Sequence, residues 1–506
     1  MRRTGILKIG LFCVLSPYLA KATTINVTPA DSYTKIESAM PGDEVVIAPG
    51  TYRFRVYLTQ AAPANTPIII RAQDPNNRPI WDLSGGNVED APGSYTAGDR
   101  GRGCWQLSGA TNIQISGLVI QECHTATYNS AGLRYYNASR GIKLKDVIFR
   151  RNDNGLTGGT QDSELTAEFC EFDSNGNLNA SQSGPTHNIY IYGGTFALRY
   201  SYAHDPTQGQ NFHIRAKDSV IEYNWFARPM SYSGDLMTDD DFTAGALQTM
   251  VLRGNLIDQG APQNHGQIIA MYNDAGPFPG LRFSLTLINN TILATQPQGY
   301  PVHLSNADGT PMNVEMDNNL IWGVSPQQGA YVIEDAITGA VTGANNYMPP
   351  GGVPGSLTAT VYGGNPFYNP AARDFTLATG SAPINAASQS VSGLPDKEYF
   401  QNEIVTRMYR VRLKARDIGA FESTTTGPGI GPYGFGGADG GAPGNDGGNL
   451  ADGGNPDGGT NNQSGSVLSG GCQSTNPRTS SYLVLAVAVL GGVLLRRIRL
   501  SLSNTP

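Results

Sequence analysis

The chain repeats one short phrase four times, as Asn224-Trp225-Phe226, Asn255-Leu256-Ile257, Asn290-Thr291-Ile292 and Asn319-Leu320-Ile321. In each copy a polar residue precedes two residues that favour β-strands or a buried position. Four earlier copies keep the pattern with other first residues, namely Gly117-Leu118-Val119, Asp146-Val147-Ile148, Cys170-Glu171-Phe172 and Ser201-Tyr202-Ala203. The spacing between successive copies varies only between 23 and 35 residues. Repeats of this length built from short strands predict a β-solenoid, in which each coil stacks on the one before it.

Local periodicity agrees with strands rather than helices. The segment Asn188-Ile189-Tyr190-Ile191 alternates with period two, as half-buried strands do, and residues 112–325 show no helical spacing of apolar side chains. A chain of β-sandwiches is the alternative, but its turns should recur about every 8–12 residues. We therefore predict an all-β fold.

Stacked coils place equivalent residues in columns. The asparagines at positions 224, 255, 290 and 319 are predicted to form an amide ladder that satisfies backbone groups at a corner. Two positions before this column come Glu168, Arg199, Glu222 and Arg253. Because stacked strands lie about 4.8 Å apart, these alternating charges predict an outward-facing, structural salt-bridge ladder.

The repeats resemble the right-handed parallel β-helix of the pectate-lyase type, over roughly residues 23–424. The phrase Pro41–Tyr52, which reads PGDEVVIAPGTY, resembles the start of such proteins, and Asp417–Glu422, which reads DIGAFE, resembles their end. The resemblance implies a right-handed parallel β-helix domain over residues 23–424.

Composition excludes one class of function. Charged residues make up 15% of the 506 residues, the net charge is −7, and 63 residues are glycine. Charged residues usually account for about 25% of a chain. A weakly charged, acidic chain does not predict nucleic-acid binding, which needs a basic surface.

The two ends indicate export. Arg2, Arg3 and Lys8 precede an apolar run that ends near Leu19, and Ala20-Lys21-Ala22 supplies a signal-peptidase pattern. We therefore predict a signal peptide over residues 1–22.

A glycine- and aspartate-rich stretch without basic residues predicts a disordered linker over residues 425–471. Residues 472–506 then hold Cys472, an apolar run that predicts a helix, and an arginine cluster. This arrangement resembles the C-terminal sorting tails of myxobacterial surface proteins, and an ordinary single-pass membrane anchor is the competing interpretation. Both place the body of a monomeric protein outside the cytoplasm, at the cell surface.

Cysteine use in the mature body is sparse. Cys104 and Cys123 could pair in an oxidising compartment, whereas Cys170 is expected to be a buried free thiol. No cysteine or histidine spacing predicts a structural zinc site.

Candidate functional residues gather on adjacent coils. Aligning two neighbouring coils by the shortest repeat spacing places Tyr190 over His213 and Tyr192 over Arg215, and period two places Lys217 on the same side of that strand. Tyrosines offer flat apolar faces and hydroxyls to sugar rings, and arginine binds a carboxylate bidentately. The patch therefore suits an acidic polysaccharide.

β-Elimination on a uronate needs its carboxylate neutralised, a base and a proton donor. Arg215 could neutralise the carboxylate, His213 or Lys217 could act as the base, and a tyrosine could protonate the leaving oxygen. The remaining assignments are His187, His204 and His265 as substrate-binding residues and Asp239 and Asp241 as calcium ligands. The non-functional alternatives for these residues are a solvated strand face, structural histidines at turns and an acidic loop. Hydrolysis by paired carboxylates is a further alternative to β-elimination.

The segment from His187 to Asn224 also resembles a group of secreted bacterial β-helix proteins of unknown function. That group carries a Lys-x-Arg pair where this chain has His213 and Arg215, and related alginate and chondroitin lyases use such a pair with calcium. The sequence thus predicts a surface β-helix that engages polysaccharide, with β-elimination as the reaction if the protein is an enzyme. The rival hypothesis is a non-catalytic adhesin or matrix protein, because fold alone does not decide function.

Overall fold

The computed structural model describes residues 22–94, 103–127, 129–177, 186–238, 247–260, 267–272, 282–295, 300–305, 311–324, 329–335, 339–352, 356–401 and 406–435. Residues 1–21 of the predicted signal peptide, the predicted C-terminal tail and most of the predicted linker lie outside these residues. No helix among them is both long and apolar enough to cross a membrane.

The body consists of three long sheets. We call them A, B and C because each coil passes through sheet A, then sheet B, then sheet C. Sheet A comprises Thr24–Val27, Glu44–Ile47, Ile68–Ala72, Ile113–Ser116, Ile142–Lys145, Glu164–Glu168, Thr195–Arg199, Asp218–Glu222, Leu247–Arg253, Arg282–Ile288, Met312–Asp317 and Val341–Thr342. Sheet B comprises Gly50–Tyr52, Pro79–Asp82, Val119–Gln121, Ile148–Arg150, Glu171–Asp173, Tyr202–His204, Trp225–Ala227, Leu256–Asp258, Thr291–Ala294, Leu320–Gly323, Tyr347–Met348 and Val361–Tyr362. Sheet C comprises Val56–Leu58, Gly103–Ser108, Ala131–Tyr136, Leu156–Gly158, Ile189–Tyr192, Phe212–Arg215, Gly234–Met237, Ile269–Tyr272, Val302–Ser305 and Val332–Asp335.

Strand pairing confirms the parallel β-helix. Each strand of a sheet pairs in parallel with its counterpart one coil later, as Tyr190 with His213 and Tyr202 with Trp225. A sandwich would instead pair antiparallel strands. Inward side chains of the three sheets, such as Leu198 of sheet A, Phe226 of sheet B and Ile214 of sheet C, join one continuous apolar core. A short helix, Thr34–Glu37, adds Ile36 to this core near the first coil.

The predicted asparagine ladder lies at the corner between sheets A and B. The Nδ2 atom of each amide donates to the Oδ1 atom of the next, over 3.0 Å from Asn224 to Asn255 and 2.9 Å from Asn255 to Asn290. Asn346 extends the ladder by one coil beyond Asn319. The residue that opens each corner takes a left-handed backbone conformation. Tyr200 and Tyr223 do so at φ 54° and 56°, although this conformation is uncommon for side chains of that size.

At the two earliest copies of the repeated phrase, which begin at Gly117 and Asp146, the strand register differs by one position from the sequence alignment. Val147, not Asp146, shares the corner position of Cys170, because Ile148 pairs with Glu171. Leu118 takes the same position one coil earlier, since Val119 pairs with Ile148. Gly117 and Asp146 are instead the left-handed residues that open the corner. The sequence alignment missed this one-residue shift because apolar residues occupy the ladder position in these two coils.

The predicted charge ladder is also confirmed. Arg199 lies between Glu168 and Glu222, with N–O distances of 3.7 and 2.9 Å, and Arg253 contacts Glu222 at 3.1 Å. Their side chains are partly exposed, so each pair stabilises the fold by no more than about 1 kcal/mol.

A second asparagine ladder, which sequence reasoning missed, occupies the corner between sheets B and C. It runs through Asn152, Asn175, Asn188 and Asn211, all fully buried, with amide-to-amide distances of 2.9 to 3.0 Å. This ladder holds the start of the strands that carry the candidate site.

Cysteine expectations are confirmed. Cys104 and Cys123 form a disulfide, and Cys170 is a buried free thiol.

The chain after the last coil turns back along the outside of the solenoid. Residues 367–401 and 406–435, which we call the strap, contain the hairpin Phe367–Asn369 and Asp374–Leu377 and a sheet of Lys397–Tyr399, Tyr409–Val411, Ile430–Gly431 and Gly434–Phe435. The last two strands lie in the stretch expected to be linker, so that stretch begins inside folded structure. Ile418 and Phe375 of the strap pack on Trp225 and Leu256 of sheet B in a second apolar cluster. The part of the outer face of sheet B that carries Trp225 and Leu256 is therefore covered by the chain itself.

Candidate functional site

The sequence-predicted patch lies on the outer face of sheet C. Tyr190 pairs with His213 and Tyr192 with Arg215, as the repeat spacing predicted. The next strand adds Asp235 beside His213. These side chains point away from the core because their strand neighbours Ile191 and Ile214 point into it.

His213 is the centre of the patch. Its Nδ1 atom lies 3.0 Å from Oδ2 of Asp235, and its Nε2 atom accepts a hydrogen bond of 3.1 Å from Nε of Arg215. A neutral imidazole that accepts at Nε2 carries its proton on Nδ1, which here faces the carboxylate. Asp235 is 2% exposed and His213 is 7% exposed, so the pair is held in a protected setting.

Aromatic rings surround the imidazole. The Tyr190 ring lies edge-on to His213 with 4.7 Å between ring centres, and Tyr192 lies 5.6 Å from Tyr190. Arg134, on an earlier strand of sheet C, donates to the Tyr192 hydroxyl over 3.4 Å. Both tyrosines are only partly buried, so their faces and hydroxyls can meet a ligand.

His187 supports the patch from behind. Its ring centre lies 5.0 Å from that of His213, and its Nδ1 atom accepts a hydrogen bond from the backbone N–H of Gln210. Burial, followed by the positive charge that His213 can carry, lowers the pKa of His187 well below the usual value. His187 is therefore neutral at physiological pH and serves as a packed, hydrogen-bonded support rather than an exposed binding group.

Two sequence-predicted residues lie elsewhere. Lys217 was expected to continue the strand, but the strand ends at Arg215, and Lys217 is exposed in the connection to sheet A. His204 belongs to sheet B, where it contacts Asp205 at 2.8 Å and stacks on Tyr202. Proximity in sequence did not imply a common face, because each coil passes through all three sheets.

Three further assignments are not placed. His265, Asp239 and Asp241 lie outside the described residues.

Two residues, Asp235 and Gln210, belong to the patch without having been assigned to it from the sequence. Gln210 Nε2 lies 3.4 Å from Asp235 Oδ2. The signal for Asp235 was available, since it follows His213 by close to one coil length.

One group of metal-ligand types is present among the described residues. Glu171, Asp173 and His204 bring their ligand atoms within 4.8 Å of one another. However, Arg150 lies 2.9 Å from Asp173 and Arg407 lies 3.5 Å from Glu171. Calcium takes oxygen ligands, so an imidazole with two arginines does not fit it, and we interpret the group as an ion-pair network.

Comparisons with known proteins give likeness of fold. No protein-family model and no curated protein matches the chain. Among solved structures, pectate lyase Pel9A shares 13% identity at a TM-score of 0.48, over 80% of this chain and 97% of that one. An alginate lyase from Paenibacillus sp. str. FPU-7 shares 14% identity at 0.40, over 67% and 99%. A rhamnogalacturonan lyase shares 14% identity at 0.41, over 67% and 84%. Sequence identities and TM-scores as low as these carry no conclusion about activity.

Proposed function

We propose that the chain binds uronate-containing polysaccharide along sheet C and cleaves it by β-elimination. The observation that carries the proposal is the contact of Arg215 with His213, backed by Asp235 and flanked by two tyrosines. This arrangement supplies the cation, base and proton donor of such a reaction within one surface.

In the proposed reaction, the guanidinium of Arg215 leaves His213 Nε2 and binds the substrate carboxylate bidentately. That movement frees the Nε2 lone pair beside the carbon next to the carboxylate. Nε2 then takes the proton of that carbon, its electron pair forms the carbon–carbon double bond, and the glycosidic carbon–oxygen bond breaks. The hydroxyl of Tyr190 or Tyr192 donates a proton to the leaving oxygen, and Asp235 stabilises the resulting imidazolium.

The rival hypothesis, a non-catalytic adhesin or matrix protein, also has an observation in its favour. His213 is 7% exposed, and both of its ring nitrogens already contact protein side chains. A binding surface needs only the partly exposed tyrosines and arginines. The two hypotheses therefore differ in whether His213 ever meets substrate.

Arg215→Ala is expected to lower the rate of β-elimination at least about 100-fold, because the developing charge on the carboxylate loses its cation. The assay incubates the purified full chain with alginate, pectate and chondroitin in calcium and follows the absorbance of unsaturated uronate. A parallel sample with EDTA tests the proposed calcium requirement, for which Asp239 and Asp241 are the candidate ligands, and activity should return when calcium is restored. The control variant Arg53→Ala changes a 60% exposed arginine beside Asp82 and should keep full activity. If wild type cleaves none of the three but binds one of them, the adhesin hypothesis replaces the lyase.

We further propose that the protein is exported, monomeric and held at the cell surface by its C-terminal tail. The Cys104–Cys123 disulfide supports export, because disulfides persist in oxidising compartments. Mass spectrometry of the protein from intact cells should find an N-terminus that follows Ala22, and external protease should digest the body. A chain that keeps residues 1–22 and resists external protease would contradict export.

A further inference from the structure

A pocket of about 590 Å³ lies between the strap and the outer face of sheet B. Its floor comes from the sheet B strands Thr291–Ala294 and Leu320–Gly323, through Leu293 and Trp322, and its opposite wall comes from the strap hairpin, through Phe367 and Phe375. Small-molecule sites typically enclose about 300–1,000 Å³. The pocket lies on a different sheet from the patch around His213, so it is independent of the function proposed above.

The walls of the pocket are apolar and fixed in place. The rings of Phe367 and Phe375 meet edge-to-face with 5.5 Å between centres, and both side chains belong to the apolar cluster that joins strap and sheet. Leu293 is a member of the same cluster, and Trp322 packs against it while remaining partly exposed. These surfaces suit a flat apolar body rather than a sugar, whose many hydroxyls need polar partners.

One ion pair gives the pocket a polar end. Arg373 Nη2 lies 2.7 Å from Asp258 Oδ2, and the guanidinium lies over the Trp225 ring at 5.3 Å. Asp258 is 3% exposed and Arg373 is 23% exposed, so the cation is the member that a ligand can reach. A guanidinium has five N–H donors in a planar fork; Nε and Nη2 of Arg373 are buried, so Nη1 is the nitrogen that can donate to a ligand while Nη2 keeps Asp258.

We propose that this pocket binds a small amphiphile with an aromatic or fused-ring body and an anionic head. The body fills the space between Trp322 and the hairpin phenylalanines, and the head accepts hydrogen bonds from Arg373. An anionic head is favoured over a cationic one because Asp258 is buried behind the arginine.

The test compares two probes on the full chain. Anilinonaphthalene sulfonate has fused rings and an anionic sulfonate, and N-phenylnaphthylamine has the same rings without it. Fluorescence titration should show saturable binding of the sulfonate probe with a stoichiometry of about one. Arg373→Lys keeps the charge beside Asp258 but loses the fork, and should weaken the sulfonate probe about tenfold while leaving N-phenylnaphthylamine unchanged.

A second part of the test uses variants that fill the pocket with a larger side chain. Val324 lines the pocket and is 43% exposed, and Val411 on the strap is 54% exposed and is not part of the lining. Val324→Trp should weaken both probes at least about tenfold by occupying their space, whereas Val411→Trp should not. If Val324→Trp loses its β-type circular dichroism, Thr295→Phe at the same rim replaces it. Equal affinity in the blocking and control variants, or no saturable binding by wild type, overturns the proposal.

Discussion

Asn255→Ala is expected to lower the free energy of unfolding by about 3–5 kcal/mol, more than any exposed substitution in this chain. Asn255 is fully buried, and its Nδ2 atom donates to the backbone oxygen of Ile221 at 2.8 Å. Its Oδ1 atom accepts from the backbone N–H of Asn224 at 3.1 Å. Alanine leaves both backbone groups buried without these partners, at about 1–3 kcal/mol each, and it interrupts the amide ladder between Asn224 and Asn290.

Denaturant unfolding followed by circular dichroism measures this effect, and Asn313→Ala is the matched control. Asn313 is an exposed asparagine on a sheet A strand, so its loss should cost no more than about 0.5 kcal/mol. In a solenoid each coil is stabilised mainly by its neighbours, so the loss should spread to the adjacent coils. An Asn255 variant as stable as the Asn313 variant would show that water or repacking satisfies the corner.

Raising the pH through about 7 is expected to loosen the strap, through Glu398. Burial, partly offset by Arg410 and by the backbone N–H of Glu422, raises the pKa of this carboxyl to about 7. The folded state therefore binds the proton more tightly than the unfolded chain does. The stability that this group contributes is present below its unfolded pKa of 4.5 and is lost as the pH rises through about 7. The full difference is about 3 kcal/mol.

Hydrogen exchange of the strap amides, corrected for intrinsic exchange rates, reports this change locally. Protection of residues 397–401 and 406–411 should fall as the pH rises from well below 7 to above it in the wild type. Glu398→Gln cannot ionise and should remove most of that dependence, because groups common to both proteins cancel in the comparison. The variant Glu164→Gln, at an exposed carboxyl on sheet A, should keep the wild-type dependence. An identical pH dependence in Glu398→Gln would contradict the raised pKa.

The candidate site was partly accessible to sequence reasoning. The contact between neighbouring coils at Tyr190, Tyr192, His213 and Arg215 followed from one coil length, because a single short coil separates the paired strands. Asp235 lies one coil further on and was not assigned, although the spacing pointed to it. His204 was assigned to the patch from its proximity in sequence, but a solenoid coil carries it to another sheet.

The sequence by itself determined the solenoid. Period-two alternation, coil-length spacing and the Asn224 to Asn319 column require only contacts between neighbouring coils, and a buried amide can be satisfied there in few other ways. Only the tertiary structure decided what covers the coils. Asn289 donates to the backbone of Asp417, 128 residues away, and Arg407 contacts Asp146 across 261 residues. No local pattern specifies such partners, because the strap finds its place by burying its apolar side chains on sheet B once that sheet exists.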